Sequence, residues 1–213
     1  MADREQARWS AVYQGAEYFY GEDAGPLARR AVRYHRPLWR AGSTPTALDV
    51  GCGEGQDVAF LSATGYEATG LDFIESAVLK AQRLLVDRGL DANIISTDLL
   101  QWNSSEQYDL VLACNSLQFL GAAAPEVLER VIAATAADGV LGLSLFACES
   151  NSGKDEEIRD GVYFTSLDRL MVRFDCRSQN RAWQMLETTR LWQWNARHNA
   201  PQPFVTLIAQ RLI

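Results

Sequence analysis

The residues with the clearest chemical potential lie between Asp49 and Asp98. Leu48-Asp49-Val50-Gly51-Cys52-Gly53-Glu54-Gly55 places a G-x-G-x-G turn after a short apolar run and before a helical pattern. Glycines there let the main chain take conformations a side chain forbids, and let a ligand approach the backbone. The third glycine, Gly55, comes one residue earlier than in the G-x-G-x-x-G turn that seats a pyrophosphate at a helix N-terminus, and Gln56 follows it. Asp49, Glu54 and Asp57 flank the turn. That charge repels a pyrophosphate and suits a ligand carrying an ammonium or a sulfonium.

Two further acids stand in register with the turn. Asp72 ends Gly70-Leu71-Asp72, where a carboxylate can accept from both hydroxyls of a ribose diol. Asp98, in Ser96-Thr97-Asp98-Leu99, can accept from an exocyclic amine such as adenine N6. Each has a plainer reading. Asp72 with Glu75 three residues on fits a capping box, and Asp98 fits a turn aspartate. The three features together carry more weight than any of them singly.

Candidate bases are few. The chain has two histidines, His35 and His198. His198, in Arg197-His198-Asn199, precedes the last strand-like run and is a candidate for the substrate side; an exposed loop histidine is its alternative. His35 lies on an arginine-rich helical stretch and reads as a surface residue. Asn115 and Gln118 follow an apolar strand and can orient a substrate or cap the next helix. Arg190 can hold an acidic substrate or lie on a strand surface. Tyr18, Phe19 and Tyr20 suit either a lid, through stacking or cation–π contacts, or a helix core.

The elements that would position these groups alternate regularly. Strand patterns at 46–50, 67–71, 92–96, 108–114 and 140–147 are interleaved with helical patterns at 56–64, 74–88 and from Pro125 to about Ala137. Residues 25–40 also read as a helix, with Leu27, Ala31, Tyr34 and Leu38 on one face. Near-continuous apolar strands joined by short helices indicate an α/β fold, a doubly wound parallel sheet covered on both faces. Residues 149–160 read as an exposed loop, Thr165 as a helix cap, and 181–195 and 204–212 as an antiparallel strand pair separated by Pro201 and Pro203. A single domain over 1–213 is expected: an N-terminal helical lid over 1–44, a ligand-binding core over 45–148, and a substrate-side loop, helix and hairpin over 149–213.

Composition narrows the classes. With 213 residues, 47% hydrophobic and 22% charged, the chain is neither disordered nor fibrous. The net charge of −7 disfavours nucleic acid. Arg29, Arg30, Arg33, Arg36 and Arg40, beside His35, make one basic stretch that reads as a solvated helix face or a phosphate-binding surface. Four cysteines, at 52, 114, 148 and 176, form no C-x-x-C pair, so no metal is expected. No apolar stretch reaches bilayer length and the N-terminus lacks a signal pattern, so a cytoplasmic protein with reduced thiols is expected, monomeric or homodimeric.

The stretch 45–148 resembles the class I S-adenosylmethionine-dependent methyltransferase family. Asp49 to Gly55 matches its first motif, Asp72 its ribose-binding acid, Asp98 its adenine-side acid, Asn115-Ser116-Leu117-Gln118-Phe119-Leu120 the motif after strand four, and Asp138-Gly139 the turn before strand five. The resemblance implies a seven-stranded sheet whose last strand is antiparallel, and S-adenosyl-L-methionine as cofactor. It implies cofactor contacts from Tyr20, Asp49, Gly51, Cys52, Gly53, Gly55, Asp72, Phe73, Asp98, Leu99, Asn115 and Leu117, with His198 and Asn115 orienting the substrate. Trp9, Tyr18-Phe19-Tyr20-Gly21, Val162-Tyr163-Phe164-Thr165 and His198 to Val205 are similar to small bacterial methyltransferases of the tellurite-resistance and thiol type. Methyl transfer to a small-molecule acceptor, a thiol or chalcogen, is therefore expected. The alternatives are a non-catalytic binder of S-adenosylmethionine or S-adenosylhomocysteine, and an NAD-dependent oxidoreductase. The stretch after strand four lacks the Asn/Asp-Pro-Pro-Tyr/Phe pattern of enzymes that act on a flipped base.

Overall fold

The structure is a computed structural model. It describes residues 2–103, 105–148, 154–174, 182–195 and 200–213. The candidate His198 lies outside the described residues, as does Cys176.

The chain opens with α1 (Ala2–Tyr13) and α2 (Pro26–His35), followed by a 3-10 turn over Arg36–Leu38. The helix expected over 25–40 stops at His35 because Pro37 lacks the amide donor that would continue the ladder, while Arg36 keeps helical angles and opens the 3-10 turn. The alternating core comes next: β1 (Thr46–Val50), α3 (Gln56–Ala63), β2 (Glu67–Asp72), α4 (Glu75–Asp87), β3 (Ala92–Ser96) and β4 (Tyr108–Cys114). A kinked 3-10 segment over Leu117–Ala123 leads into α5 (Ala124–Ala133) and β5 (Thr135–Phe146). Helix α5 ends earlier than its sequence pattern suggests. Tyr108 N donates to Ala134 O at 2.8 Å, and the pairing of Thr135 with Tyr108 draws that stretch into the sheet.

The chain then forms β6 (Glu156–Arg159), β7 (Val162–Thr165), α6 (Leu167–Arg173), β8 (Trp183–Asn195) and β9 (Ala200–Arg211). β6 falls inside the stretch expected to be a loop, and it pairs with β7 in a separate two-stranded sheet. The cap of α6 is Ser166, not Thr165: Ser166 Oγ accepts from Arg169 N at 3.1 Å. Pro201 and Pro203 lie inside β9 rather than between two strands. The β5–β9 ladder ends at Phe146 and Phe204; beyond it Ala147 N donates to Pro203 O at 2.8 Å, a bond that uses the proline carbonyl, so the missing donors are tolerated.

The main sheet has seven strands in the order β3-β2-β1-β4-β5-β9-β8. β1 to β5 pair in parallel, and β9 is antiparallel to both β5 and β8. Alternation along the strands sorts the two cores. Leu48, Val50, Val111 and Ala113 face Val127, Leu128 and Val131 of α5 and Leu170 of α6. Ala47, Leu110 and Leu112 face Leu27, Ala31 and Val32 of α2 and Val58 and Leu61 of α3. No helix among the described residues is long and apolar enough to cross a membrane.

The arginine-rich helix buries its apolar stripe and turns its charges outward. Arg30 Nε lies 2.8 Å from Glu187, and Arg33 and Arg36 are exposed. His35, expected at the surface, is instead buried. Its Nδ1 lies 2.8 Å from Tyr66 Oη, with Trp39 Nε1 donating to the same pair. Its position among Leu27, Ala28, Ala31 and Val32 on the buried side of α2 explains the difference.

Candidate active site

From β1 the chain winds to β2 and β3 on one side, and from β4 to β5 on the other. Order reverses between β1 and β4, and a crevice opens at the carboxyl ends of strands at such a switch point. Here it is a cleft of about 1760 Å³, lined by the ends of β1, β2, β3 and β4 and by residues of α1. A drug-sized ligand needs roughly 300–1,000 Å³, so the cleft has room for two small molecules side by side.

The glycine turn forms its floor. Gly51 has φ +75, and a Cβ there would stand 2.3 Å from the Ser116 Cβ. Ser116 is held in that place by a 2.6 Å bond from its Oγ to Val50 O. Gly53 has φ +54 and faces the Tyr13 hydroxyl, 3.1 Å from where its Cβ would be. The turn is tied to β2: Asp72 Oδ2 accepts from Gly53 N at 2.8 Å and Oδ1 from Ile74 N at 2.9 Å. Asp72 thus bonds the helix start as its plainer reading has it, but Ile74 is the capping position. Each of its oxygens retains a lone pair. Burial raises the Asp72 carboxyl above its ordinary value, opposed by the amides of Ile74, Gly53 and Phe73.

Asp49 is 2% exposed and its Oδ1 has no partner among the described residues. Burial, then Asp57 and Asp72, push its carboxyl well above the usual range. Asp57 is also raised by burial, although Gly25 N donates to its Oδ1 at 2.7 Å. Glu54 is committed elsewhere: Lys80 Nζ lies 2.7 Å from Oε1, and Phe19 N donates to Oε2 at 2.7 Å. Asp98 is exposed, with Oδ1 accepting from Leu100 N at 2.9 Å, as in an Asx turn.

Of the sequence candidates, Tyr20, Asp49, Gly51, Cys52, Gly53, Asp72, Phe73, Asp98, Leu99 and Asn115 all line the cleft. Gly55 and Leu117 do not. Gly55 makes room for α4, where a Cβ would stand 2.6 Å from that of Ala81, and Leu117 is fully buried in the larger core. Gln118 is buried too and lies outside the cleft, its amide atoms without a partner among the described residues. Arg190 is turned aside to donate to Cys148 O at 2.7 Å.

Tyr13 was not foreseen. It stacks on Trp9 at 5.5 Å, and Trp9 meets Phe119 edge-on at 5.0 Å, so α1 closes one side of the cleft. The only local signal was the i,i+4 spacing of two aromatics in an otherwise polar helix. Burial, then the charge of Asp72, raises the Tyr13 hydroxyl. The three-aromatic stretch is neither plain core nor plain lid. Tyr18 bonds Lys80 O at 3.2 Å, while Phe19 and Tyr20 are exposed and only Tyr20 reaches the cleft.

A family model described as a methyltransferase domain matches residues 47–139, the span from β1 to the start of β5. This segment is similar to a methyltransferase domain. Around it, the whole fold resembles that of solved methyltransferase structures. TehB from Haemophilus influenzae superposes with a TM-score of 0.71 at 17% identity, covering 88% of this chain and 62% of that one. The 1,6-didemethyltoxoflavin-N1-methyltransferase of Burkholderia thailandensis superposes with a TM-score of 0.69 at 17% identity, covering 100% of this chain and 89% of that one. Hemagglutinin 1 of Eikenella corrodens is 30% identical over 125 residues, 58% of this chain. The chain spans about two fifths of that relative's length and about three fifths of TehB. Within the matched segment the cleft lies where β1, β2 and β4 end, with Asp49, Asp72 and Asn115 around it.

Proposed function

We propose that the protein transfers a methyl group from S-adenosylmethionine to a small-molecule acceptor. The observation that carries this reading is the pair of carboxylates at the switch point. Asp72 is fixed by two backbone amides with lone pairs to spare, and buried Asp49 has an oxygen without a partner. A ribose diol satisfies the first and a cationic group the second. The charge of the lining supports the same ligand. Asp23, Asp49, Asp57, Asp72, Asp98 and Asp160 face the cleft, with Arg8 as its cation among the described residues. That balance favours a sulfonium and opposes the pyrophosphate of a dinucleotide, which sets the oxidoreductase reading behind. The Burkholderia relative, which holds S-adenosylhomocysteine and a small acceptor, supports the choice of cofactor and acceptor class.

The residues present fit the cofactor. Asp72 would hold its ribose, Asp98 and Leu99 its adenine side, and the Gly51–Gly53 backbone with Asp49 its amino-acid end; Tyr20, Cys52, Phe73 and Asn115 complete the wall. When bound, S-adenosylmethionine supplies an electrophilic methyl group on a sulfonium sulfur. The chain's own part is to bind, align and exclude water. Trp9, Tyr13 and Phe119 wall off one side, and Asn115 offers a hydrogen-bonding amide at the end of β4. We assign the acceptor as a thiol or another soft chalcogen. Such a nucleophile ionises near neutral pH without a strong base. The thiols of Cys52 and Cys114 are themselves raised by burial, so the protein's own sulfurs stay protonated beside it.

Calorimetry with S-adenosylmethionine and S-adenosylhomocysteine, with NAD as control, tests the reading. Micromolar binding of both sulfur ligands, abolished by Asp72→Ala, is expected. No binding, or preference for NAD, would sink it. An acceptor screen beginning with thiols and chalcogen oxyanions then separates the enzyme from a non-catalytic binder.

A further inference from the structure

Asn115 ends β4 with φ +56, a left-handed conformation that few residues besides glycine adopt and asparagine tolerates. Two bonds to one neighbour hold it there. Asn115 N donates to Ser144 O at 3.0 Å, and Ser144 Oγ donates to Asn115 Oδ1 at 2.6 Å. Ser144 lies in β5, in register with Cys114, and is 6% exposed, so water competes little for its hydroxyl. On the other side, the Ser116 Oγ bond to Val50 O ties the next residue to β1. The residue after β4 is therefore held between both neighbouring strands.

The consequence is chemical. A carboxamide free to flip presents either an acceptor or a donor. With Oδ1 held by the Ser144 hydroxyl the carboxamide keeps one orientation, and Nδ2 is the end left without a partner among the described residues. Asn115 is exposed and lines the cleft, and its Nδ2 donates to no group among the described residues.

We propose that Ser144 is a positioning residue, fixing the Asn115 carboxamide so that its N–H donors face the cleft and receive a lone-pair atom of the methyl acceptor. The acceptor then presents a hydrogen-bond-accepting atom to Nδ2 at the end of β4. The orientation of the carboxamide stands by itself; its use on an acceptor rests on the methyl-transfer reading.

Side-chain amide NMR on the full chain with saturating S-adenosylhomocysteine tests the orientation. The Asn115 signals are assigned by their loss in Asn115→Asp. Ser144→Ala should shift that pair of signals, because the bond to Oδ1 that fixes and polarises the amide is lost. Ser144→Thr, which keeps the hydroxyl, should restore it, and the Kd for S-adenosylhomocysteine should stay within about twofold throughout. Asn115 signals unchanged in Ser144→Ala would overturn the proposal.

A second arm measures methyl transfer to 2-mercaptoethanol, thiophenol and cysteamine. Ser144→Ala and Asn115→Ala should lower kcat/KM, and the double variant should be no worse than the poorer single one. Additive losses would overturn the acceptor role. A wild type that binds S-adenosylhomocysteine yet methylates none of these thiols counts against the thiol acceptor, while the amide signals still decide the positioning.

Discussion

Lys80 Nζ lies 2.7 Å from Glu54 Oε1, and the carboxylate side chain is wholly buried. The same ammonium donates to Glu17 O at 2.7 Å, and the same carboxylate accepts from Phe19 N. One ion pair therefore joins the glycine turn, helix α4 and the segment that connects α1 to α2. An acid that in sequence looked like part of the ligand's surroundings is a structural tie. Removing one partner of a buried pair leaves an uncompensated charge, at a cost of about 3–5 kcal/mol. Lys80→Met should lower stability by that order in chemical denaturation. Lys80→Met with Glu54→Gln should recover much of the loss, because the stranded charge is gone. Equal destabilisation of the single and double variants would show that the charge is not the cause.

Two glycines with similar backbone angles should respond differently to alanine. Gly51 has φ +75 and its added Cβ would meet Ser116 at 2.3 Å, whereas Gly42 has φ +82 and nothing within 4 Å. Gly42→Ala should cost only the left-handed conformation, about 1 kcal/mol. Gly51→Ala must also move Ser116 off Val50 O, so it should cost roughly 2 kcal/mol or more and weaken S-adenosylhomocysteine binding at least about tenfold. Thermal unfolding and calorimetry read both quantities.

Asp49 illustrates a cost carried for binding. Its folded carboxyl is raised, so the folded state prefers the neutral form. The stability this group contributes is full below its ordinary value of 3.8 and falls as pH rises through the folded value. At pH 7 in the empty protein, Asp49→Asn should therefore stabilise. A rise in Tm of about 2–4 °C is expected, the shift that 1 kcal/mol gives in a chain of this size. Affinity for S-adenosylhomocysteine should fall about tenfold in the same variant, the loss of one charge-assisted contact. A lower Tm with unchanged affinity would place the charge in the fold rather than in the binding site.

His35 sets an acid limit far from the cleft. Burial lowers its pKa below the ordinary 6.5, and burial also pushes Tyr66 up to about 12, so the phenol keeps the proton it shares with Nδ1. Between the folded and unfolded values the unfolded chain binds a proton that the folded one does not, so stability rises with pH there. Acidification below about pH 6.5 should lower Tm progressively, as that linkage requires. His35→Gln should flatten this slope, though other groups still titrate at lower pH. An unchanged slope in the variant would assign it to other residues.

Much of this molecule was legible in its sequence. The apolar runs at 46–50 and 108–114 became strands with those bounds, because a strand buried on both faces needs no partner to declare itself. The glycine turn and the acids Asp49, Asp72 and Asp98 were visible because each lies at or just after the end of a strand, and parallel strands bring their carboxyl ends together at one edge of the sheet. Boundaries shifted where hydrogen bonds from elsewhere won, as at Thr135, which pairs with Tyr108. Roles shifted where a distant partner claimed a side chain. Glu54 is taken by Lys80, Arg190 by Cys148 O, and His35 by Tyr66. Gln118 stands three residues after Asn115, yet one is buried and the other faces the cleft. Local periodicity determined the elements and the edge at which the acids gather. The tertiary structure alone decided which polar groups remain uncommitted there, because that depends on contacts between residues far apart in the chain, such as Ser144 with Asn115.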